Sequence, residues 1–396
     1  MKFSIERKII SEALSMVQGL TNRKTTLAIT SDVLIKAEGS YITVTANDLE
    51  TVFQGKYEAE VESDGIISIS AKKMFEIVRD YPESIIPLNE VENRWVEIGS
   101  GNIQYHIVSS DYENFPEHPV IEDIQFVEME SAALKKMAEI SASINFSQDE
   151  KRPYVIGALL EKTEIEAKVA DSKEGETDEN QSNETSDKKS KNTPVLRMVS
   201  TDSKRLYTFD TPYSGDLPID EKGIIIPKKG LAELGKFLSN VGTVKVGIKN
   251  NHFIVTKDDE SIMIKLLEGD YPDYRRVLNI RGFVPIEMNR VMFLMMMKRM
   301  SILVSDDYKS VILSFMDNKL IATVTNPEIG ESKEEIAIGY VGESVESAFN
   351  PKYFIDALSA FKGDNIVVNI KDKRNPCIIK GSDDISFVCA IMAMSI

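Results

Sequence analysis

The chain has 396 residues, 42% hydrophobic side chains and a formal net charge of −16. That length admits two or three domains, Cys377 and Cys389 show neither metal nor disulfide spacing, and the longest apolar run, Val291 to Met297, is too short to cross a bilayer. The acidity argues on its face against nucleic acid, while an opening rich in charge, Met1-Lys2-Phe3-Ser4-Ile5-Glu6-Arg7-Lys8, lacks the apolar stretch of a signal peptide and predicts a cytoplasmic protein with no membrane partner.

In chain order, Phe3 to Ile10 continues into Ala13, Leu14 and Val17 and is read as a helix. Ile67-Ser68-Ile69-Ser70 alternates like a half-buried strand. It runs into a helix in which Met74, Ile77 and Val78 recur at helical spacing beside Lys72, Lys73 and Arg79. Strands Trp95–Ile98 and Ile103–Ile107 follow, and Asp111-Tyr112-Glu113-Asn114-Phe115-Pro116 closes the unit.

A second helix is expected from Val127 through Ser131 to Ile140, with Ser131 as its N-cap. Residues 171–193 are Glu, Asp, Ser, Asn and Lys with almost nothing apolar, and predict a disordered acidic loop. Val199-Ser200-Thr201-Asp202-Ser203-Lys204-Arg205-Leu206 reads as strand, polar turn and strand. Gly223-Ile224-Ile225-Ile226-Pro227-Lys228-Lys229 repeats the strand-into-lysine-helix pattern. Then comes Glu268-Gly269-Asp270-Tyr271-Pro272-Asp273-Tyr274-Arg275-Arg276-Val277-Leu278, a linker able to wall a groove at a domain seam. Ile286 to Arg299 is read as a helix capped by Asn289, and Ser347 to Leu358 gives the strand–lysine–helix pattern a third time.

With the acidic loop removed, the spacing of these units is regular, so the chain is expected to be one α+β domain in triplicate. The divisions are 1–124, 125–280 (carrying loop 171–193) and 281–396. Helices would gather on one side and antiparallel sheets on the other. Basic residues cluster on the helices: Arg7 and Lys8; Lys72, Lys73 and Arg79; Lys135 and Lys136; Lys228, Lys229 and Lys236; Arg290, Lys298 and Arg299; Lys352 and Lys362. An acidic protein with one basic face would hold a polyanion there and repel it elsewhere.

No phosphate-binding loop, His-Glu-x-x-His or Gly-x-Ser-x-Gly pattern occurs. The three histidines, His106, His118 and His252, are scattered through a strand, a linker and a turn. No cofactor, metal site or catalytic residue is therefore expected. The competing reading, a hydrolase with a carboxylate pair, would have to use Asp202 or Asp273, and each is better explained as a turn or capping residue. A third reading is a peptide-binding scaffold without DNA.

The Gly-Asp-Tyr-Pro-Asp-Tyr-Arg-Arg-Val segment, Thr201-Asp202-x-x-Arg205-Leu206, the opening Met-Lys-Phe and the methionine-bearing C-terminus resemble the bacterial DNA polymerase III β subunit, the sliding-clamp family. The resemblance implies a non-enzymatic processivity factor, a head-to-tail homodimeric ring that encircles duplex DNA without reading its sequence. Its partners would be the DNA polymerase III catalytic subunit, the clamp loader and other replication and repair proteins. They would dock peptides in a pocket formed by Val155, Thr201, Lys204, Arg205, Leu206, Pro272, Arg276, Val277, Tyr308, Asn350, Tyr353, Met392, Ala393 and Met394. DNA would meet Lys24, Lys72, Arg79, Gln148, Arg152 and Tyr154. The ring seam would set Ile77, Tyr81 and Tyr105 against Ile302 and Leu303. The chain departs from the family pattern at Ser203-Lys204, commonly Gly-His, and at Ala393 and Ser395-Ile396, commonly Pro and Arg-Leu. These departures bear on which peptide the pocket prefers.

Overall fold

The computed structural model describes residues 1–21, 28–119, 121–146, 150–166 and 192–395. The first part holds β1 (Lys2–Glu6), α1 (Arg7–Thr21), β2 (Asp32–Glu38), β3 (Tyr41–Asn47), β4 (Thr51–Glu58), β5 (Glu60–Ser63), β6 (Gly65–Ser70), α2 (Ala71–Asp80), β7 (Ile85–Glu90), β8 (Trp95–Ser100) and β9 (Ile103–Val108). The second holds β10 (Val127–Glu130), α3 (Ser131–Ala142), the single turn α4 (Pro153–Ile156), β11 (Gly157–Glu166), β12 (Asn192–Thr201), β13 (Arg205–Pro212), β14 (Ile224–Pro227), α5 (Lys228–Phe237), β15 (Thr243–Lys249), β16 (His252–Lys257) and β17 (Glu260–Lys265). The third holds β18 (Val284–Asn289), α6 (Arg290–Met300), β19 (Val311–Met316), β20 (Lys319–Asn326), β21 (Gly330–Ala337), β22 (Val345–Phe349), α7 (Pro351–Ala360), β23 (Asn365–Ile370), β24 (Cys377–Gly381) and β25 (Phe387–Ile391).

The order is the same three times apart from the extra strand β5 in the first part and the turn α4 in the second. α2, α5 and α7 each have ten residues; α2 and α5 follow directly on a strand, and α7 follows after the single residue Asn350. Ser70 and Asn350 cap their helices by accepting from Lys73 N and Lys352 N. The stretches opening at Phe3, Val127 and Ile286 differ from the helical expectation, because each is a strand first. In β1 the buried Phe3 and Ile5 alternate with exposed Lys2 and Glu6, a period of two, and the helix begins only at Arg7. Asn289 does cap α6, accepting from Met292 N at 3.0 Å. Ser131 does not cap α3. It is the first helical residue, and its hydroxyl donates to Ser239 O at 2.9 Å. The segment expected to be a disordered loop lies outside the described residues as far as 191, while Asn192 and Thr193 open β12.

Helices pair on one face of the sheets, α1 with α2, α3 with α5 and α6 with α7. A single apolar core runs beneath them through Leu14, Ile69, Leu134, Leu231, Phe293 and Phe354. On the opposite face the linkers between the three parts cross the sheet. Ile121, Ile124 and Phe126 cover Val52, Ile254 and Met263. Tyr271, Val277, Leu278 and Phe283 cover Leu159, Val199, Leu206, Ile378 and Ala390. Each such side chain withdrawn from water contributes about 1.5–3 kcal/mol.

The boundaries inside the chain are made by strand pairing. β17 lies antiparallel on β4 with Ile262 opposite Phe53, and β25 lies antiparallel on β13 with Cys389 opposite Tyr207. In both cases the last strand of one repeat pairs with the same strand of the repeat before it, giving two eight-stranded sheets. The remaining counterparts, β9 and β21, are edge strands of the five- and four-stranded sheets.

The second linker is also pinned by charge. Glu161, 3% exposed, accepts from Tyr274 Oη and from Arg275 Nη2 at 2.9 Å. Arg197 chelates Asp210 at 2.6 Å and reaches Tyr274 Oη at 3.4 Å. A buried carboxylate is tolerated only when so partnered. Replacing Tyr274 by Phe removes one donor from it and should cost about 1–3 kcal/mol, read as a lower urea midpoint with an unchanged slope.

Candidate peptide cleft and DNA-facing helices

The turn between β12 and β13 is built from its own polar side chains. Asp202 accepts from Lys204 N and Arg205 N, both at 2.9 Å, and from Arg205 Nε at 3.2 Å. Thr201 Oγ1 donates to Arg205 O at 2.7 Å and accepts from Ser203 N at 3.0 Å. Ser203 sits at φ 70°, where glycine is at ease and serine is strained. Asp202, engaged in these bonds, and Asp273, paired with Arg276 at 3.0 Å, are turn residues rather than an acid–base couple.

Arg205 carries the turn across the boundary. Its buried guanidinium donates to Asp356 on α7 at 2.5 Å and to Tyr207 Oη at 3.2 Å, and it lies 4.7 Å from the ring centre of Tyr353. Past β25 the chain is tied down on both sides, Met392 N to Lys204 O at 2.9 Å and Met394 N to Ala348 O at 2.8 Å. Between turn, tail and α7 opens a cleft of about 690 Å³. Met392, Ala393, Met394, Tyr353 and Val304 give it apolar walls, and Lys204, Arg205, Asp306, Lys309 and Asp356 give it charged ones. Apolar walls with a few fixed polar groups suit a short peptide.

Of the pocket residues expected from the sequence, Lys204, Arg205, Asn350, Tyr353, Met392, Ala393 and Met394 line this cleft. Thr201 is buried next to the lining residue Asp202, and Val155 is buried without lining the cleft. Leu206 and Val277 belong instead to the apolar cluster under the linker. Pro272 lines a separate cleft beside Glu161 and Tyr274, Arg276 is exposed, and Tyr308 is 37% exposed next to the lining residue Lys309. Asn145, Val304, Ser305, Asp306, Lys309, Lys352, Asp356 and Ser395 line the cleft without having been anticipated as pocket residues. Only Asp356, one helical turn beyond Tyr353, carried a readable signal.

Lys228, read with Lys229 as a surface charge, is 2% exposed. Its Nζ donates to Thr201 O at 2.8 Å and lies 5.8 Å from the ring centre of Phe146. Burial pulls this ammonium from 10.5 down to about 7, against the attraction of Asp202 and with the repulsion of Arg205.

The second helical positions of α2, α5 and α7 are Lys72, Lys229 and Lys352, all exposed and without an ion pair among the described residues. Other basic residues are partly neutralised: Lys73 by Glu76 at 2.9 Å, Lys236 by Glu233 at 3.0 Å, Arg79 by Asp80 at 3.0 Å and Arg299 by Glu334. Arg152 is chelated by Glu150 and lies 5.5 Å from the ring centre of Tyr154. Lys24 and Gln148 fall outside the described residues. At the expected seam, Tyr105 is 38% and Ile302 74% exposed and Leu303 half-buried, whereas Ile77 at 8% and Tyr81 at 1% are core residues of this chain. The histidines stay apart, His106 on Glu97, His118 on Gln54 and His252 on Asn250 O. No group of metal-ligating side chains occurs among the described residues.

Comparison with known proteins agrees with this geometry. Models of the DNA polymerase III beta subunit match over the N-terminal domain at residues 1–119, the central domain at 185–273 and the C-terminal domain at 283–395. The chain is 27% identical over 400 residues to the beta sliding clamp of Chlamydia pneumoniae, covering 100% of this chain and 99% of that one. It is 26% identical over 401 residues to that of Pseudomonas putida, covering 100% of both. The DNA polymerase sliding clamp of Caulobacter crescentus superposes with a TM-score of 0.86 at 23% identity over 100% of both chains. That of Bacillus subtilis gives 0.85 at 23% over 100% of this chain and 99% of that one.

Between pH 7 and 10.5 the folded chain holds fewer protons at Lys228 than the unfolded chain, so this residue makes stability rise with pH across that window and adds no slope below it. Denaturation midpoints taken from pH 6 to 10 should show a steeper rise for the native protein than for Lys228→Met.

Proposed function

Because the chain belongs to the DNA polymerase III beta subunit family, we propose that it is a sliding clamp. Two copies close head to tail around duplex DNA and tether the replicative polymerase. The tether works through effective concentration, since a polymerase that lets go rebinds before it diffuses away. The reading assigns no catalytic chemistry to the chain. Its three clamp domains are taken as 1–124, 125–280 and 281–396, and its site of action as the cytoplasm.

The observation that supports closure best is the repeated junction. Tyr105, Ile262 and Cys389 are counterparts, opposite Ile98, Val255 and Ile379 in their own hairpins. Phe53, Tyr207 and Ser332 are counterparts, opposite Ala46, Ser200 and Val324. Carrying the register of Ile262 on Phe53 and Cys389 on Tyr207 to the free edges sets Tyr105 of one copy opposite Ser332 of a second, with Gln104 opposite Lys333.

The helices follow the same rule. α1 touches α5 where Gly19 meets Glu233. Arg7 and Arg290 open α1 and α6, and their main-chain N–H groups donate alike to Ser84 O at 2.7 Å and Asp364 O at 2.8 Å, equivalent positions past α2 and α7. Counting from them makes Ile302 the counterpart of Gly19, so Ile302 and Leu303 would pack toward α2 of the second copy. Pairing also answers the exposure of two strand edges that Glu331, Glu334 and Glu335 on one side now guard by charge.

DNA would pass along the helical face, where Lys72, Lys229 and Lys352 recur at one height in every repeat. With Arg79, Arg152, Tyr154, Lys24 and Gln148, they would meet phosphates without reading bases, leaving the ring free to slide. The polymerase catalytic subunit, the clamp loader and other replication and repair proteins would share the cleft of Arg205, Tyr353 and Met392–Met394. Thr201, buried next to the lining turn, would support its walls, while Leu206, Pro272, Arg276 and Val277 lie on the linker side, outside it.

In solution the protein should have twice the 44.4 kDa chain mass, and Ile302→Asp should shift it toward the single-chain mass in sedimentation. Loaded protein should stay on closed circular DNA and leave linear DNA by its ends. Reversing Lys72, Lys229 and Lys352 to Glu should weaken DNA association and flatten its salt dependence, with the dimer intact.

A further inference from the structure

The first helical position after the strand is the same place in three copies of one fold. In α2 it is Ala71, fully buried; in α7 it is Pro351, also buried; in α5 it is Lys228. The fold therefore asks only for something small or apolar here, and two repeats comply. The middle repeat places an ammonium in the same spot, and a buried charge is destabilising unless something is gained by it.

What it holds is specific to the middle repeat. Lys228 Nζ donates to the carbonyl of Thr201 at 2.8 Å. Thr201 is the hinge of the β12–β13 turn, because its hydroxyl both donates to Arg205 O and accepts from Ser203 N. The attraction of Asp202 for the ammonium acts on the same turn. That turn presents Lys204 and Arg205 to the cleft, and Lys204 O anchors the tail at Met392. With Ser203 in a backbone conformation that serine disfavours, the turn needs an outside hold.

We propose that Lys228 is a positioning residue for the cleft, fixing the Thr201 carbonyl from below so that the 201–205 turn keeps the shape a docking peptide requires. The inference rests on reading the cleft as the partner-docking site. It goes further in naming a buried residue, outside the cleft lining, on which affinity depends. It also separates the neighbouring lysines of α5: Lys229 faces outward, and Lys228 serves the cleft.

The experiment measures binding of the purified catalytic subunit of the organism's own DNA polymerase III to the full-length protein at pH 6, where Lys228 carries its charge, with thermal midpoints recorded alongside. Lys228→Met should leave the midpoint unchanged or raise it, because a buried charge is removed. It should weaken binding about tenfold, as expected for loss of one charge-assisted hydrogen bond. Unchanged affinity overturns the inference. A midpoint and an affinity that fall together also overturn it, since they would mark Lys228 as merely structural. Met394→Asp, in the cleft wall, separates the two levels. If it binds the polymerase as the native protein does, the docking-site reading itself fails, and the role given to Lys228 falls with it.

Discussion

Everything in this molecule depends on one main-chain interaction, the antiparallel addition of the last strand of each repeat to an edge of the repeat before it. β17 on β4 and β25 on β13 are the same contact made twice. Backbone hydrogen bonds specify such a contact whatever the side chains, and alternation on the two faces fixes its register. Because the operation is directional, it never satisfies both ends of one chain, and β9 and β21 remain. A head-to-tail contact that rotates must either close or propagate. Three repeats per chain with two copies is the closed solution proposed here.

The cleft proposed for docking is a by-product of the same junction. Adding β25 to β13 brings the β12–β13 turn beside α7 and lays the C-terminal tail across it. At the other internal boundary Lys265 N makes the equivalent bond to Glu50 O at 2.8 Å, and the chain then turns back so that Leu266 N donates to Asn251 O. The Arg205–Asp356 pair and the Arg205–Tyr353 stacking then lock the second repeat to the third at the cleft itself, so a ligand there would meet rigid walls. The placement of charge follows the layers too. Glutamates guard the free edge β21, and the outward lysines stand on the helices, which lets a chain of net charge −16 offer a polyanion one surface.

Much of this was legible in the sequence. The strand–lysine–helix units were read at their true places, and so were the β12–β13 turn, the Asn289 cap and the strands at Trp95 and Ile103. The failures share physical causes. β1, β10 and β18 run into helices without a break, so their few alternating residues were absorbed into the helical period that follows. Ser131 looked like a cap because serine commonly is one, yet tertiary contact with Ser239 claimed its hydroxyl. Lys228 and Lys229 are indistinguishable by composition, and only the path of β14 decides which of them is buried. Tyr81 and Ile77 carry the apolar character of a seam, but their own domain already encloses them. Two charged residues of the cleft wall, Asp306 and Lys309, come from a loop remote in sequence from the 202–205 turn and the 392–394 tail.

The most direct test joins the two free edges covalently. Cys377 and Cys389 are buried, so a Gln104→Cys, Lys333→Cys double variant has its accessible thiols only at the proposed seam. Mild oxidation should convert it to a dimer linked at both seams, resolved by denaturing electrophoresis, whereas Gln104→Cys with Glu328→Cys, out of register, should stay single-chain. Failure of the in-register pair to link in a folded protein would contradict the account.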